Sequence, residues 1–243
     1  RPRSRSRRRH RIPVEQTRAC EMDYKDVNAL IEEGEGFEVE FKRKFSTPEK
    51  IARALIAFAN TRGGHILFGV DDDGSIVGVE SEKSEVDLIR EAGLHFCVPE
   101  IEPEIDIVAF SGLDVVVATI AESDQKPHYY AGEANGFPNG EGTRVYIRVN
   151  DKTVMASKEV VKILKNERPD APAIKIEIGE NEKRLFKYLD ENERITSKEF
   201  SKLVNISQHR ASRILVGLVR AGVVRIHTLE KTDFFTLAYD VTK

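Results

Sequence analysis

One stretch, residues 35–79, limits what this chain can fold into more than any other. It opens with EGFEVEFK, in which apolar and charged side chains alternate as they do along a half-buried strand. Thr47 and Pro48 then supply the N-cap and the first residue of a helix. After the helix, an apolar run at 65–70 predicts a buried strand, and DDDG at 71–74 predicts a tight turn. The order strand, helix, strand, turn predicts an α+β domain.

The surrounding sequence continues this alternation of helices and strands. A short helix precedes the stretch, and a second helix and a pair of strands follow it. A long loop with several glycines and prolines then leads to a closing strand and helix. The predicted elements are a helix over Asp23–Glu33, a strand over Ile76–Val79 that forms a hairpin with the apolar run, a helix over Ser84–Phe96, strands over Ile105–Phe110 and Val115–Ile120, a loop over Glu122–Gly142, a strand over Thr143–Val149 and a helix from Ser157 to Lys165.

Acidic side chains are predicted to converge around the first strand. Glu38 and Glu40 share one face of it, and Glu35 lies just before it. Asp71–Asp73 end a strand that is predicted to lie beside it. Carboxylates that converge in a partly desolvated pocket repel one another unless a cation neutralises them, and all-oxygen ligands suit Mg²⁺ or Mn²⁺, which can activate water against a phosphodiester. The alternative is structural, because an Asp in a turn usually bonds its own backbone.

Three strings in this chain resemble the Schlafen AlbA-type domain, formerly described as a divergent ATPase-like domain. They are EGFEVEFKRK, AFANTRGGHILFGVDDDGSIVGV and GTRVYIRVNDKTVMAS, and the resemblance runs from about Asn28 to Ser157. It implies a mixed sheet-and-helix domain. Because eukaryotic relatives join two AlbA-like halves in one core, the single copy in this sequence implies a homodimer.

The resemblance also implies an activity. Some eukaryotic Schlafen proteins are endoribonucleases that cleave tRNA and rRNA with a Glu–Glu–Asp metal site. The matching positions in this sequence are Glu35, Glu40 and Asp72, which would be both the metal ligands and the catalytic residues. Lys42 of the EFK string would contact phosphate, and Mg²⁺ or Mn²⁺ would be the cofactor of such a nuclease. NTRGGH lacks the GxxxxGK[ST] spacing, so we expect its glycines to end a helix and form a turn rather than support ATP hydrolysis.

The pattern changes beyond a proline-containing linker. Asn166–Ile174 holds two prolines among charged residues, and three predicted helices and two predicted strands follow it. The third helix runs from Gln208 to Ala221, and Gly222 ends it. Three helices followed by two paired strands resemble a winged helix-turn-helix module, which implies DNA binding.

The third helix of this C-terminal segment has an apolar and a polar face. The predicted core residues are Ala211, Ile214, Leu215 and Leu218. Polar residues lie on the opposite face near the helix N-terminus, where helix-turn-helix proteins read bases, and basic residues in neighbouring elements would contact phosphates. The predicted nucleic-acid-binding residues are Gln208, His209, Arg210, Arg213, Lys198, Lys202 and Arg225. The alternative is a winged helix that binds another protein.

The net charge of −3 is unevenly distributed. Residues 1–21 carry eight Arg and two Glu, a net charge of +6, whereas residues 22–179 carry 18 basic and 30 acidic residues, a net charge of −12. Residues 180–243 carry 12 basic and 9 acidic residues, a net charge of +3. Because an acidic middle repels phosphate backbones, nucleic-acid contact is predicted mainly for the C-terminal residues. The arm at 1–21 is predicted to be disordered, and we expect it to lie outside the native coding sequence because Met22 opens a natural start.

These patterns predict four segments: the Arg-rich arm (1–21), a Schlafen AlbA-type domain (22–166), a linker (167–179) and a winged helix-turn-helix domain (180–243). Two cysteines without metal-ligand spacing, and the lack of an apolar run of about 20 residues, predict a cytoplasmic protein without a membrane partner. We expect a homodimeric DNA-binding transcriptional regulator whose N-terminal domain dimerises or senses a ligand. A metal-dependent endoribonuclease acting on RNA is the enzymatic alternative, and a protein-interaction adaptor is the second alternative.

Overall fold

The computed structural model describes residues 22–43, 47–131, 144–167 and 176–238. The arm at 1–21, most of the predicted long loop and most of the predicted linker lie outside these ranges, so the structural predictions made for them stay predictions. No helix in the described ranges is long and apolar enough to cross a membrane.

Seven helices and ten strands occur in the described ranges. The helices are α1 Tyr24–Glu33, α2 Pro48–Ala59, α3 Glu82–His95, α4 Lys158–Leu164, α5 Glu180–Asn192, α6 Ser197–Leu203 and α7 Gln208–Arg220. The strands are β1 Val39–Lys42, β2 Gly63–Phe68, β3 Cys97–Val98, β4 Glu104–Phe110, β5 Leu113–Ala121, β6 Tyr129–Tyr130, β7 Tyr146–Val149, β8 Lys152–Met155, β9 Val224–Thr228 and β10 Asp233–Leu237. The mixed α+β character predicted from the sequence is confirmed.

A four-stranded sheet of order β1-β2-β5-β4 organises the N-terminal part. β1 and β2 are parallel, because α2 carries the chain back between them, whereas β2–β5 and β5–β4 are antiparallel. The predicted hairpin over Ile76–Val79 is reduced to a single bridge between Val70 and Ile76. The backbone N–H groups of Val77 and Gly78 both donate to the Gly69 carbonyl, and this tight turn prevents the segment from extending along β2.

Helices cover both faces of this sheet. α2 is buried along most of its length and packs with α3 on the face that carries Ile66 and Phe68. α1 packs through Val27 on the opposite face, which carries Leu67 and Val117. Because consecutive residues of β2 are buried on opposite faces, the strand is a continuous apolar run rather than an alternating one.

Three short strands, β3, β6 and β8, were not predicted from the sequence. β6 lies inside the predicted loop and pairs with β3, which follows α3. The side chain of Asn60, just beyond α2, holds this region. Its amide nitrogen donates to the carbonyls of His128 and Tyr146, both at 3.0 Å, and its amide oxygen accepts from the His128 N–H at 2.7 Å. The second pair, β7 with β8, follows the part of the loop that lies outside the described residues, and only its first strand was predicted.

The C-terminal part has its own apolar core. α5, α6 and α7 pack with the antiparallel β9–β10 ribbon around Leu185, Phe200, Leu215 and Phe235. All five elements agree with the predicted order of three helices and two strands. Ala211, Leu215 and Leu218 are buried as predicted, and Ile214 is partly buried.

α4 joins the two parts by packing against α7. The Lys162 ammonium donates to the Ser212 hydroxyl at 2.9 Å, and Ser212 and Val216 are only 3% and 6% exposed. Ile226 of β9 packs on the apolar cluster that contains Val160. α7 therefore buries a second stripe, beside its core face, that the sequence pattern did not predict.

Candidate nucleic-acid interface

Parallel pairing of β1 and β2 brings the predicted acidic residues near one another. The Lys42 carbonyl at the end of β1 accepts from the Gly69 N–H at 2.8 Å, so the Asp-rich turn lies beside the end of β1. A cavity of about 470 Å³ opens at this place. Its charged lining residues are Glu40, Asp72, Lys42, Arg43, Lys50 and Arg53. The cavity is therefore lined by more basic than acidic groups.

Glu40 is neutralised by basic groups of the protein itself. Its carboxylate forms ion pairs with the Lys42 ammonium at 2.5 Å and with the Arg148 guanidinium. The Arg148 side chain is fully buried, donates to the Gly36 carbonyl at 2.6 Å and lies 4.6 Å from the centre of the Phe58 ring. A buried guanidinium requires such a counter-charge because its desolvation is costly. Both Lys42 and Glu40 therefore have partners before any ligand arrives.

Of the other two predicted metal ligands, Glu35 bonds the backbone and Asp72 lies at the surface. The Glu35 carboxylate accepts from the Phe41 N–H at 2.8 Å, which fixes the entry into β1. Asp72 is exposed at the rim of the cavity, and its N–H donates to the Asp71 carboxylate at 3.0 Å. Within residues 22–43, 47–131, 144–167 and 176–238, no three His, Cys, Asp or Glu side chains are grouped so that they could hold a metal. Metal binding by Glu35, Glu40 and Asp72 stays a prediction.

The neighbouring turn residues serve the local backbone, as the structural alternative expects. Asp71 forms an ion pair with Arg43 at 2.5 Å. The Asp73 carboxylate accepts from the Ser75 N–H at 2.9 Å, and this hydrogen bond lowers the pKa of Asp73.

The glycines of NTRGGH lie at the start of β2 rather than at the end of a helix. α2 ends at Ala59 with Asn60 as its C-cap, earlier than predicted. Gly64 has φ +146°, and a Cβ there would lie 2.3 Å from the Glu38 carbonyl. A Cβ on Gly63 would lie 2.4 Å from the Ile120 carbonyl. These glycines allow the flanking strands to approach β2 closely, which accounts for them without a phosphate.

The predicted DNA-reading residues lie on an exposed surface at the start of α7. The Ser207 hydroxyl caps the helix by accepting from the Arg210 N–H at 3.3 Å. The structure exposes the residues predicted for this surface: Gln208, His209, Arg210, Arg213, Lys198, Lys202 and Arg225. We call the first four of these the α7 surface. The helix N-terminus and its basic residues both favour contact with anions.

A second cavity, of about 260 Å³, lies where α7 faces α4. Lys162 and Asn166 come from the α4 side, and His209, Arg213, Val216, Gly217 and Arg220 come from α7. We call it the α4–α7 cavity. Lys162 and Arg220 were not among the predicted binding residues. In the sequence, the only feature that pointed to a contact with α4 was the pair Ser212 and Val216, one turn apart on α7. Two small residues do not distinguish a buried helix face from an exposed one.

The fold places this chain among α+β proteins with a helix-covered mixed sheet and a separate helical unit that exposes a basic helix. Residues 35–157 match the family model of the Schlafen, AlbA_2 domain. The chain belongs to this family, as the three sequence strings indicated.

Two solved structures are similar over part of the chain. The DIP2311 protein from Corynebacterium diphtheriae is 18% identical with a TM-score of 0.41, and the match covers 56% of this chain and 25% of that one. The N-terminal domain of a RecG-related protein from Nitrosomonas europaea is 21% identical with a TM-score of 0.39, and the match covers 63% and 95% of the two chains. The chain thus matches about a quarter of the length of the Corynebacterium protein. No curated protein matches it.

Proposed function

We propose that this protein is a DNA-binding transcriptional regulator. Residues 180–243 form its winged helix-turn-helix domain, α7 is the helix that enters the major groove, and residues 22–166 dimerise or sense a ligand. The observation that carries the proposal is the α7 surface, where Gln208, His209, Arg210 and Arg213 are all exposed at the capped start of the helix.

The chemistry of these side chains suits base and phosphate contacts. Gln pairs with adenine, and Arg pairs with guanine through two hydrogen bonds or holds a phosphate. Lys198 and Lys202 on α6, and Arg225 in the ribbon, are exposed where they can contact the backbone on either side of the groove. A net charge of only +3 on residues 180–243 favours a dimer, which doubles the phosphate contacts.

The test begins with selection of bound fragments from genomic DNA, followed by fluorescence anisotropy on the selected duplex over a range of salt concentrations. Arg210→Gln and Arg213→Gln should each weaken binding by about tenfold or more if the arginine contacts a base. An arginine that contacts only a phosphate should instead reduce the salt slope by about 1. Arg90→Gln removes an exposed arginine from α3 and is the matched control.

Equal affinity of the Arg210→Gln, Arg213→Gln and Arg90→Gln variants would contradict the proposal. Light scattering on the eluted peak from size-exclusion chromatography tests the homodimer. A protein that selects no duplex but retains a partner protein would instead support the adaptor alternative.

The cavity beside β1 supports a second candidate function, an Mg²⁺- or Mn²⁺-dependent endoribonuclease. This candidate is favoured because Glu40 and Asp72 line one cavity with the basic side chains of Lys50 and Arg53, beside the ion-paired Lys42 and Arg43. Glu35, Glu40 and Asp72 would be its catalytic and metal-binding residues, and Lys42 would contact phosphate. End-labelled tRNA and single-stranded RNA should then be cleaved with Mn²⁺, and cleavage should stop with EDTA and in Asp72→Asn. Asp87→Asn, an exposed carboxylate on α3, is the control.

A further inference from the structure

The described residues that line the α4–α7 cavity are basic or uncharged. Lys162, His209, Arg213 and Arg220 line it, and none of the described residues that line it is acidic. The one partner of Lys162 among these described contacts is the neutral Ser212 hydroxyl at 2.9 Å. Lys162 and Arg213 carry like charges that repel each other across the cavity, and an anion between them removes that repulsion.

The size of the cavity limits what can enter it. At about 260 Å³ it lies just below the usual range for small-molecule sites, roughly 300–1,000 Å³. It therefore has room for a phosphate or diphosphate group but not for a whole dinucleotide.

A glycine lies in the wall of the cavity. Gly217 lies inside α7, where glycine costs about 1 kcal/mol relative to alanine. A Cβ on Gly217 would meet nothing within 4 Å, so no neighbouring atom of the described chain requires a glycine. What the glycine provides is a bare backbone facing the cavity.

From these contacts we propose that the α4–α7 cavity binds a phosphate group. Lys162 holds it from the α4 side and Arg213 from the α7 side, and His209 lies beside them in the lining. Guanidinium and ammonium groups are the usual partners of phosphate oxygens in proteins.

The site has a consequence for DNA binding that rests on the proposed function. Arg213 and His209 belong both to the cavity and to the α7 surface. A free phosphate anion in the cavity therefore competes with DNA, whereas a backbone phosphate of the duplex that enters the cavity strengthens DNA binding.

The first experiment titrates inorganic phosphate into the full chain by isothermal titration calorimetry at constant ionic strength, with no DNA present. Saturable binding is expected in the wild type. Lys162→Gln and Gly217→Leu should each weaken it by about tenfold or more, the first by removing a charged donor and the second by filling the cavity. Lys83→Gln, which removes an exposed lysine from α3, should keep it. Absence of saturable binding in the wild type, or equal binding in Lys162→Gln and Lys83→Gln, would overturn the proposal.

The second experiment identifies the source of the phosphate. If the cavity takes a free anion, phosphate should displace the selected duplex competitively while potassium chloride at equal ionic strength does not. If it takes a backbone phosphate, Lys162→Gln should weaken DNA binding and lower the salt slope by about 1. Phosphate binding without any DNA binding would reject the proposed function alone, and DNA binding without phosphate binding would reject the cavity alone.

Discussion

The two basic clusters of this protein differ in where their counter-charges come from. Around Arg148, the protein supplies its own: the guanidinium is fully buried against Glu40, the Gly36 carbonyl and the Phe58 ring. In the α4–α7 cavity, no acidic side chain of the described residues lines the walls around Lys162 and Arg213. The comparison teaches that the same residue type is structural in one region and available to a ligand in the other. Burial forces a charge to be paired during folding, whereas a charge in an open cavity keeps its water until an anion replaces it.

The largest expected effect comes from breaking the buried cluster. Arg148→Met should lower the free energy of unfolding by about 3 kcal/mol, because Glu40 then loses its buried partner and keeps only the partly exposed Lys42. Urea unfolding measures the loss. The double variant Arg148→Met/Glu40→Gln should be more stable than Arg148→Met alone, since the carboxylate that the partly exposed Lys42 neutralises incompletely is gone. A loss below about 1 kcal/mol is typical of an exposed ion pair and would contradict a buried, structural role for Arg148.

Two glycine-to-alanine changes compare the packing of the two regions. Gly64→Ala should lower the free energy of unfolding by about 1–3 kcal/mol, because its Cβ would lie 2.3 Å from the Glu38 carbonyl and its φ is positive. Gly217→Ala should raise it by about 1 kcal/mol, since the new methyl meets open space and alanine favours a helix. Thermal unfolding of both variants checks the opposite signs. Destabilisation by Gly217→Ala would show that the α4–α7 cavity is closed in solution.

The next prediction concerns Glu85, a buried acid that forms no ion pair within the described residues. Glu85 is 3% exposed, and one of its carboxylate oxygens lacks a hydrogen-bond partner in the described structure. Burial raises the pKa of Glu85 above the ordinary value of 4.5, so folding favours its protonated form. The stability that this group allows is fully present below pH 4.5 and is lost as the pH rises through the raised pKa.

Glu85→Gln should therefore stabilise the protein by about 1 kcal/mol at pH 7, and this gain should vanish below the ordinary pKa. Urea unfolding at both pH values measures it. Glu40→Gln is the contrasting variant, because Glu40 has two cationic partners and its replacement should destabilise the protein. Equal responses of the two variants would remove the distinction between a paired and an unpaired buried acid.

The smallest effect is expected at the exposed contact between the two parts of the chain. Lys152 and Glu230 form an ion pair at 2.7 Å with both side chains 54% exposed, and the hydrogen bond to Glu230 raises the pKa of Lys152. Because water and salt screen such pairs, Lys152→Gln should leave the urea midpoint unchanged within error. A clear loss would mean that this ion pair, rather than the apolar contact of Ile226, holds the two parts together.

Local signals explain which parts of the fold could be predicted from the sequence. Thr47 and Pro48 correctly marked the start of α2, and the polar start and apolar face of α7 correctly marked that helix. The strand pair β3–β6 could not be predicted, because two-residue strands have no periodicity and this pair is held by the Asn60 amide, which lies far away in sequence. The same distinction applies to the candidate site. Helical periodicity predicted the exposed α7 surface, whereas Lys162 and Arg220 could be identified only from the packing of α4 against α7.

The sequence by itself determined the longer elements, the family and the exposed polar start of α7, because caps, periodicity and turn residues act over a few neighbouring positions. Only the tertiary structure decided that Arg148 neutralises Glu40 across 108 positions of sequence, and that α4 and α7 enclose a basic cavity. Burial and charge pairing of this kind arise between residues distant along the chain. No local pattern distinguishes a cation that will be paired inside the protein from one that will face solvent.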